Sequence, residues 1–217
     1  RLSLVGSEMC IRDRWDTPHG VPPFDKILPE HFMPAFERGM SLHEAEIDAI
    51  TSNKDEATFE NTILAYDNAG QMLAQTELVF GMLCAAETND RMQALQEQAM
   101  PLLAAHRDKI RLDDKLFVRV KEVYDRRAAL GLDAEQMRLL QKTYDSFVRA
   151  GALLDAEQKA RLKEINGQLS LTAVKFGNNI LAENNNFVLE LKSDELDGLP
   201  AGIRDAAREK AQQMGKG

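Results

Sequence analysis

Four histidines and several paired carboxylates are the residues of this sequence best suited to chemistry. Zinc hydrolases use the motif His-Glu-x-x-His on a helix, because two histidines one turn apart share a face and the glutamate serves as a base. The chain has one His-Glu pair, His43-Glu44, and the fifth position of that stretch is Ile47. This pair therefore does not form the zinc motif.

The histidines fit structural positions better than ligand positions. His43 and His106 each lie on the apolar stripe of a predicted helix. This position indicates a histidine in the core or at its edge, with its ring nitrogens hydrogen-bonded. The less favoured alternative is a ligand. His19 lies in an extended arm and His31 in a first helical turn, and neither has a second ligand at metal-binding spacing.

The paired carboxylates lie where helices begin or in loops. Asp113/Asp114 and Asp194/Glu195 are expected to cap helices and to complement the helix dipole. The sequence also lacks a glycine-rich phosphate loop, a C-x-x-C pair and a G-x-S-x-G elbow. We therefore predict that this chain holds no catalytic, cofactor-binding or metal-binding residue.

The element that organises the chain is a long predicted helix over 155–184. Apolar residues recur in it at steps of three and four, which is the period of one helix face: Leu162, Ile165, Leu169, Ala173, Phe176 and Ile180. Asp155 is a good N-cap with Gln158 as its partner, and the asparagines at 184–186 end the helix. We expect other helices to cover this stripe, so that Leu169→Ala would cost about 2–5 kcal/mol.

The same patterns predict an all-α fold. Further helices are expected over 30–52, 58–87, 88–110, 113–131, 133–150 and 201–213. The sequence Leu-Asp-Ala-Glu-Gln occurs at 132–136 and again at 154–158, and we interpret it as one capping solution used twice rather than a duplicated unit. Residues 187–191, FVLEL, predict one short strand near the C-terminal end.

Composition excludes several classes of function. The net charge of −8 argues against a nucleic-acid partner, which needs a basic surface. No apolar run reaches the roughly 20 residues of a membrane span. The two cysteines are too few for a disulfide framework, which is compatible with a reduced compartment. A cytoplasmic location is expected, with the periplasm as the alternative.

We divide the chain into four segments. Residues 1–14 lack a consistent period, and SLVGSEMCIRDR within them resembles a translated sequencing-adapter read, so we expect this segment to be non-native. Residues 15–28 form an extended arm anchored by apolar side chains, and 29–185 form the helical domain. Residues 186–217 are expected to begin a further segment, a strand and a helix, that is truncated.

Five blocks of sequence carry a family resemblance. They are TPHGVPPFDKILPEHFMPAFERGM (17–40), TFENTI (58–63), AAETND (85–90), LLQKTYDSFVRAGALLDAEQKARLKEINGQLS (139–170) and KFGNNILAENN (175–185). From Trp15 onward, over about 200 residues, the chain resembles the N-terminal part of the zinc metallopeptidases of the thimet oligopeptidase and neurolysin family. The bacterial peptidyl-dipeptidase and oligopeptidase A branch is the most similar.

The resemblance implies a mostly helical body that forms one wall of a deep channel for short unfolded peptides. In the complete enzyme, a zinc-polarised water and a glutamate base would cleave the peptide, with the His-Glu-x-x-His site a few hundred residues further on. The chain itself would bind no zinc and be inactive without its C-terminal catalytic part. The alternative is a self-contained helical interaction module without catalysis.

Overall fold

The computed structural model describes residues 17–216. Within them the chain forms seven α-helices: α1 (Phe32–Ser52), α2 (Gln71–Ala86), α3 (Asp90–Arg111), α4 (Asp114–Asp125), α5 (Ala134–Arg149), α6 (Ala156–Asn186) and α7 (Ala201–Gln213). A π-helical turn, Phe59–Leu64, continues into the short helix Ala65–Asp67 between α1 and α2. The predicted all-α fold is confirmed. The expectations about residues 1–14 and Trp15 lie outside the described residues.

The chain divides into two compact units between Asn178 and Asn179. The first unit holds α1 to α5 and most of α6. The second holds the end of α6, the following segment and α7. The domain boundaries expected from the sequence stay predictions.

Two hydrophobic clusters form the core of the first unit. In one, Phe80 of α2 packs on Phe32 and Phe36 of α1, with ring centroids 5.0 and 5.3 Å apart. In the other, buried residues of α1, the π-helical turn, α4 and α5 meet: Ile47, Ile63, Leu116, Val120, Leu140 and Phe147. α1 therefore contributes to both clusters, one at each end of the helix.

Helix starts follow the predicted capping logic, with one shift. Asp133 accepts a hydrogen bond from the Gln136 backbone N–H at 2.8 Å, and Asp155 accepts one from Gln158 at the same distance. In both copies the glutamine side chain also accepts from the aspartate N–H, at 3.1 and 3.2 Å. The shared capping solution is confirmed. For the helix expected over 88–110, Thr88 was the expected cap, but Asn89 caps it instead by accepting from the Met92 N–H, so the cap lies one residue later.

The helix predicted over 58–87 is wrong in its continuity. The helical conformation is interrupted at Gly70, whose φ of 74° lies in the left-handed region. α2 begins only at Gln71. Glycine takes this conformation without the steric cost that other residues meet. The break turns α2 back along α1, and the two helices approach closely at Gly39, where a Cβ would lie 3.1 Å from the Leu73 Cα.

Beyond the half-buried Leu162, the apolar stripe of α6 does not face the helical body, so its expected burial is wrong. Leu169 and Phe176 are 63% and 66% exposed. The side of α6 that meets the first unit instead carries buried Lys159 and Val174 and half-buried Asn166. At 100° per residue this contact side is rotated by roughly a quarter of a turn from the stripe. Helical periodicity gave an apolar face but not its phase against the body.

The strand predicted at 187–191 is also absent. These residues have no regular secondary structure, and their apolar side chains are exposed. A strand exists only through hydrogen bonds to another strand, and residues 17–216 contain none. In the arm, Ile27 is buried as expected, whereas Val21 and Phe24 are exposed.

Candidate functional site

The structure brings together two histidines that no sequence pattern predicts to be a pair. His43 on α1 and His106 on α3 lie with His43 Nδ1 3.0 Å from His106 Nε2. Their ring centroids are 5.1 Å apart. One nitrogen of this pair carries the shared proton and the other accepts it, which is satisfied when both rings are neutral or only one is charged.

Gly70 closes one side of this pair. A Cβ at Gly70 would lie 2.9 Å from His43 Nδ1, so only glycine leaves room for the imidazole. The Gly70 N–H donates to Glu46 Oε2 at 2.7 Å, which ties the turn before α2 to α1. The same glycine therefore breaks the helix and makes space for His43.

Glu44 and Lys109 lie on the other side of the pair. The His106 side chain is 3% exposed, and its Nδ1 lies 3.5 Å from Glu44 Oε1 without a hydrogen bond. Glu44 Oε2 lies 2.7 Å from Lys109 Nζ. The carboxylate beside Nδ1 favours the tautomer that carries a proton there, which leaves His106 Nε2 to accept from His43.

Burial sets the charge state of this cluster. It lowers the pKa of both His43 and His106, and the mutual repulsion of the two rings lowers the pKa of His43 further. The hydrogen bond from Lys109 lowers the pKa of Glu44. At neutral pH the cluster therefore consists of two neutral imidazoles beside an ionised Glu44–Lys109 pair.

The surroundings of this cluster are an open depression, without a hydrogen-bonded nucleophile or a grouped set of metal ligands among the described residues. The depression has a volume of about 400 Å³ and is lined among others by Glu37, Met40 and Leu102. Among residues 17–216, neither ring is hydrogen-bonded to a hydroxyl or a thiol that could act as a nucleophile. Nor does the described part contain three or more histidine, cysteine or acidic residues grouped to hold a metal ion.

Four of the other residues considered from the sequence, His31, Asp113, Asp114 and Glu195, make structural contacts. His31 Nδ1 accepts from the Leu28 N–H at 3.1 Å, and His19 is exposed in a short turn. Asp113 caps α4 by accepting from the Leu116 N–H at 2.8 Å, and Asp114 forms an ion pair with Lys159. Glu195 accepts from the Lys192 N–H at 2.7 Å. Within the first unit, His19, His31, Asp113 and Asp114 make no hydrogen bond or ion pair with His43 or His106.

Cys84 is half-buried, and burial raises the pKa of its thiol to about 11. The thiol is therefore protonated at neutral pH and is a poor nucleophile. Its side chain packs against the cluster around Phe80.

One buried arginine was not predicted from the sequence. Arg119 of α4 is 8% exposed and donates to the carbonyls of Asn53 and Asp55 at 3.0 and 3.1 Å, and to Asn61 Oδ1 at 3.1 Å. It thereby holds the loop between α1 and the π-helical turn. The available signal was its position on the buried face of α4, between Leu116 and Val123.

Comparison with known proteins identifies relatives of this chain. It is 41% identical over 167 residues to the dipeptidyl carboxypeptidase of Escherichia coli (strain K12), which covers 77% of this chain and 24% of the relative. It is 39% identical over 165 residues to the Salmonella typhimurium dipeptidyl carboxypeptidase, covering 76% of this chain and 24% of that protein. The chain is a homologue of these peptidases.

More distant relatives extend this homology. The oligopeptidase A of Escherichia coli (strain K12) is 24% identical over 197 residues, or 90% of this chain and 29% of the relative. The resemblance stated from the sequence blocks is therefore confirmed. The chain spans about a quarter of the length of the peptidases it matches. No protein-family model matches it.

The helices of the described residues were compared with the requirements of a membrane span. None of the helices within 17–216 is both long and apolar enough to cross a membrane. Even α6, the longest, carries five charged residues between 157 and 164.

Proposed function

We propose that this chain is the helical, channel-wall portion of a zinc metallopeptidase that cleaves short oligopeptides. The observation that carries the proposal is the 41% identity to a dipeptidyl carboxypeptidase over 77% of the chain. At this identity over 167 residues, the corresponding parts of the two proteins share one fold. The names of both sets of relatives support peptide cleavage as the activity of the whole protein.

In this proposal the zinc is not held by the residues described here. The two imidazoles of His43 and His106 face each other across a hydrogen bond, and Glu44 lies on the far side of the His106 ring. These residues therefore do not fit a zinc site, which needs three or four ligands around one point. In this proposal the metal and the catalytic residues come with a C-terminal catalytic part, and this chain shapes access to them.

A full-length chimera tests the proposal. This chain replaces the matched region of the Escherichia coli dipeptidyl carboxypeptidase, and hydrolysis of a short quenched fluorescent peptide is measured with and without a chelator. We expect chelator-sensitive cleavage of the short peptide and no cleavage of a folded protein. The parent enzyme is the positive control.

Two outcomes would contradict the proposal. The first is a folded chimera that cleaves no peptide, which would favour a self-contained helical interaction module. The second is zinc-dependent cleavage by this chain alone, which would mean that it holds a complete catalytic site. Both are measured with the same peptide and the same zinc concentrations.

A further inference from the structure

The first unit presents an apolar helix face that none of its own helices covers. On α6, Ile165, Leu169 and Phe176 are 43%, 63% and 66% exposed. They lie within about 40° of one another around the helix axis, because they are spaced by four and seven residues. Large apolar side chains grouped in this way mark an interaction surface far more often than isolated ones do.

α6 is held in a defined orientation, so this exposure does not come from an unattached helix. Lys159 is buried and forms an ion pair with Asp114 at the start of α4. Two turns later, the Asn166 amide donates to Asp108 Oδ1 at 2.9 Å. Val174 is buried a further two turns along. These contacts lie along one side of α6 and turn the apolar face away from the body.

An open groove lies beside this face. Its volume is about 540 Å³, and it runs between α3 and α6. Its walls combine apolar and polar side chains, among them Met100, Arg107, Arg111, Leu169, Ala173 and Val174. A partner bound to the apolar face could therefore also insert side chains into the groove. This would add the shape complementarity that is typical of specific interfaces.

We propose that Ile165, Leu169 and Phe176, together with this groove, form the docking surface for the remainder of a peptidase-length chain. This inference rests on the proposed function. The homologous peptidases are about four times as long as the matched region, which covers 24% of them, so the whole protein has ample further polypeptide to cover the face. The two core clusters of the first unit are already closed by its own helices, so the face is not a missing part of that core.

The test compares the same substitutions with and without the rest of the protein. In the full-length chimera described above, we introduce Ile165→Asp and Leu169→Asp together. The matched control is Leu78→Asp with Met82→Asp, because these α2 side chains have the same spacing and are 66% and 49% exposed. Both pairs are also made in this chain alone.

We expect amide exchange over 162–176 to slow by about ten-fold in the chimera relative to the chain alone. Ile165→Asp with Leu169→Asp should abolish this slowing and lower the thermal midpoint of the chimera. The same pair should leave the midpoint of the chain alone unchanged. The control pair should change neither protein. A milder pair, Ile165→Ala with Leu169→Ala, serves if the charged variant fails to fold.

Two results would overturn the docking surface. One is an unchanged exchange rate over 162–176 in a folded chimera. The other is a concentration-dependent dimer of this chain that the aspartate pair abolishes, since the face would then bind a second copy. Peptidase activity separates this inference from the proposed function. An active chimera insensitive to the pair defeats only the docking surface, and an inactive but protected chimera defeats only the proposed function.

Discussion

His43 Nδ1 and His106 Nε2 lie 3.0 Å apart and join α1 to α3 through two neutral imidazoles. Four charged side chains near the pair shift the pKa values of the two histidines. Glu44 and Glu46 on α1 favour protonation, whereas Lys109 and Arg107 on α3 oppose it. Desolvation is the largest influence on both rings and lowers the pKa of each. The contact is therefore stable only while at least one ring is neutral.

This pair predicts a pH-dependent stability. Because the pKa of each histidine in the folded chain lies below its ordinary value of 6.5, the unfolded chain takes up protons first as the pH falls. The stabilisation is complete above that value and is lost as the pH falls through the lowered pKa. Urea unfolding between about pH 7.5 and 5 should show the free energy of unfolding declining on acidification.

The control for the pH effect replaces both histidines of the pair by a residue that does not titrate. His43→Gln with His106→Gln should flatten the decline relative to the wild type, because the groups with lowered pKa are gone. His19→Gln, at an exposed position of the arm, should leave the decline unchanged. Equal pH dependence in the wild type and the double variant would show that the pair does not titrate as described.

A second prediction concerns the two kinds of leucine in the first unit. Leu169→Ala in this chain alone should change the free energy of unfolding by less than about 0.5 kcal/mol, because its side chain is already largely in water. Leu116→Ala should cost about 2–5 kcal/mol, since Leu116 is fully buried and the substitution leaves a cavity. Denaturant unfolding measures both. Similar costs for the two would mean that the α6 stripe is covered.

A third prediction concerns the buried arginine. Arg119→Met removes three hydrogen bonds and leaves the Asn53 and Asp55 carbonyls without this donor, so it should cost about 2–3 kcal/mol. Arg119→Lys should recover only part of this loss, because an ammonium cannot reproduce the planar fork. The matched control is Arg138→Met at an exposed position of α5, expected below about 0.5 kcal/mol. A cost for Arg119→Met no larger than the control would show that the loop does not depend on this side chain.

A fourth prediction tests the repeated cap. Asp133→Ala and Asp155→Ala should each destabilise the chain by about 1 kcal/mol, because each removes the acceptor of a first-turn N–H. Glu135→Ala serves as the control, because Glu135 lies in the first turn of α5 but makes no capping hydrogen bond. This substitution should cost less than about 0.5 kcal/mol. Thermal or urea unfolding distinguishes them. If only one aspartate matters, the two copies are not equivalent caps.

Much of the helical framework is predictable because its determinants are local. Asp133 and Gln136, or Asp155 and Gln158, lie within one turn of each other, so their types and spacing are enough to place a helix start. The break at Gly70 is local too, yet it was missed. The surrounding apolar pattern continues on both sides of the glycine, and periodicity alone does not record a left-handed φ.

The candidate site is different, because its contacts join residues far apart in the chain. His43 and His106 are separated by 63 residues, and Arg119 reaches carbonyls 64 and 66 residues away. No local pattern encodes such pairs. The sequence by itself determined the all-α class, the capped helix starts and the kinship with the peptidases. Only the tertiary structure decided which face of α6 meets the body. Burial of an apolar stripe is favourable, but the periodicity of the stripe does not identify the surface that packs against it.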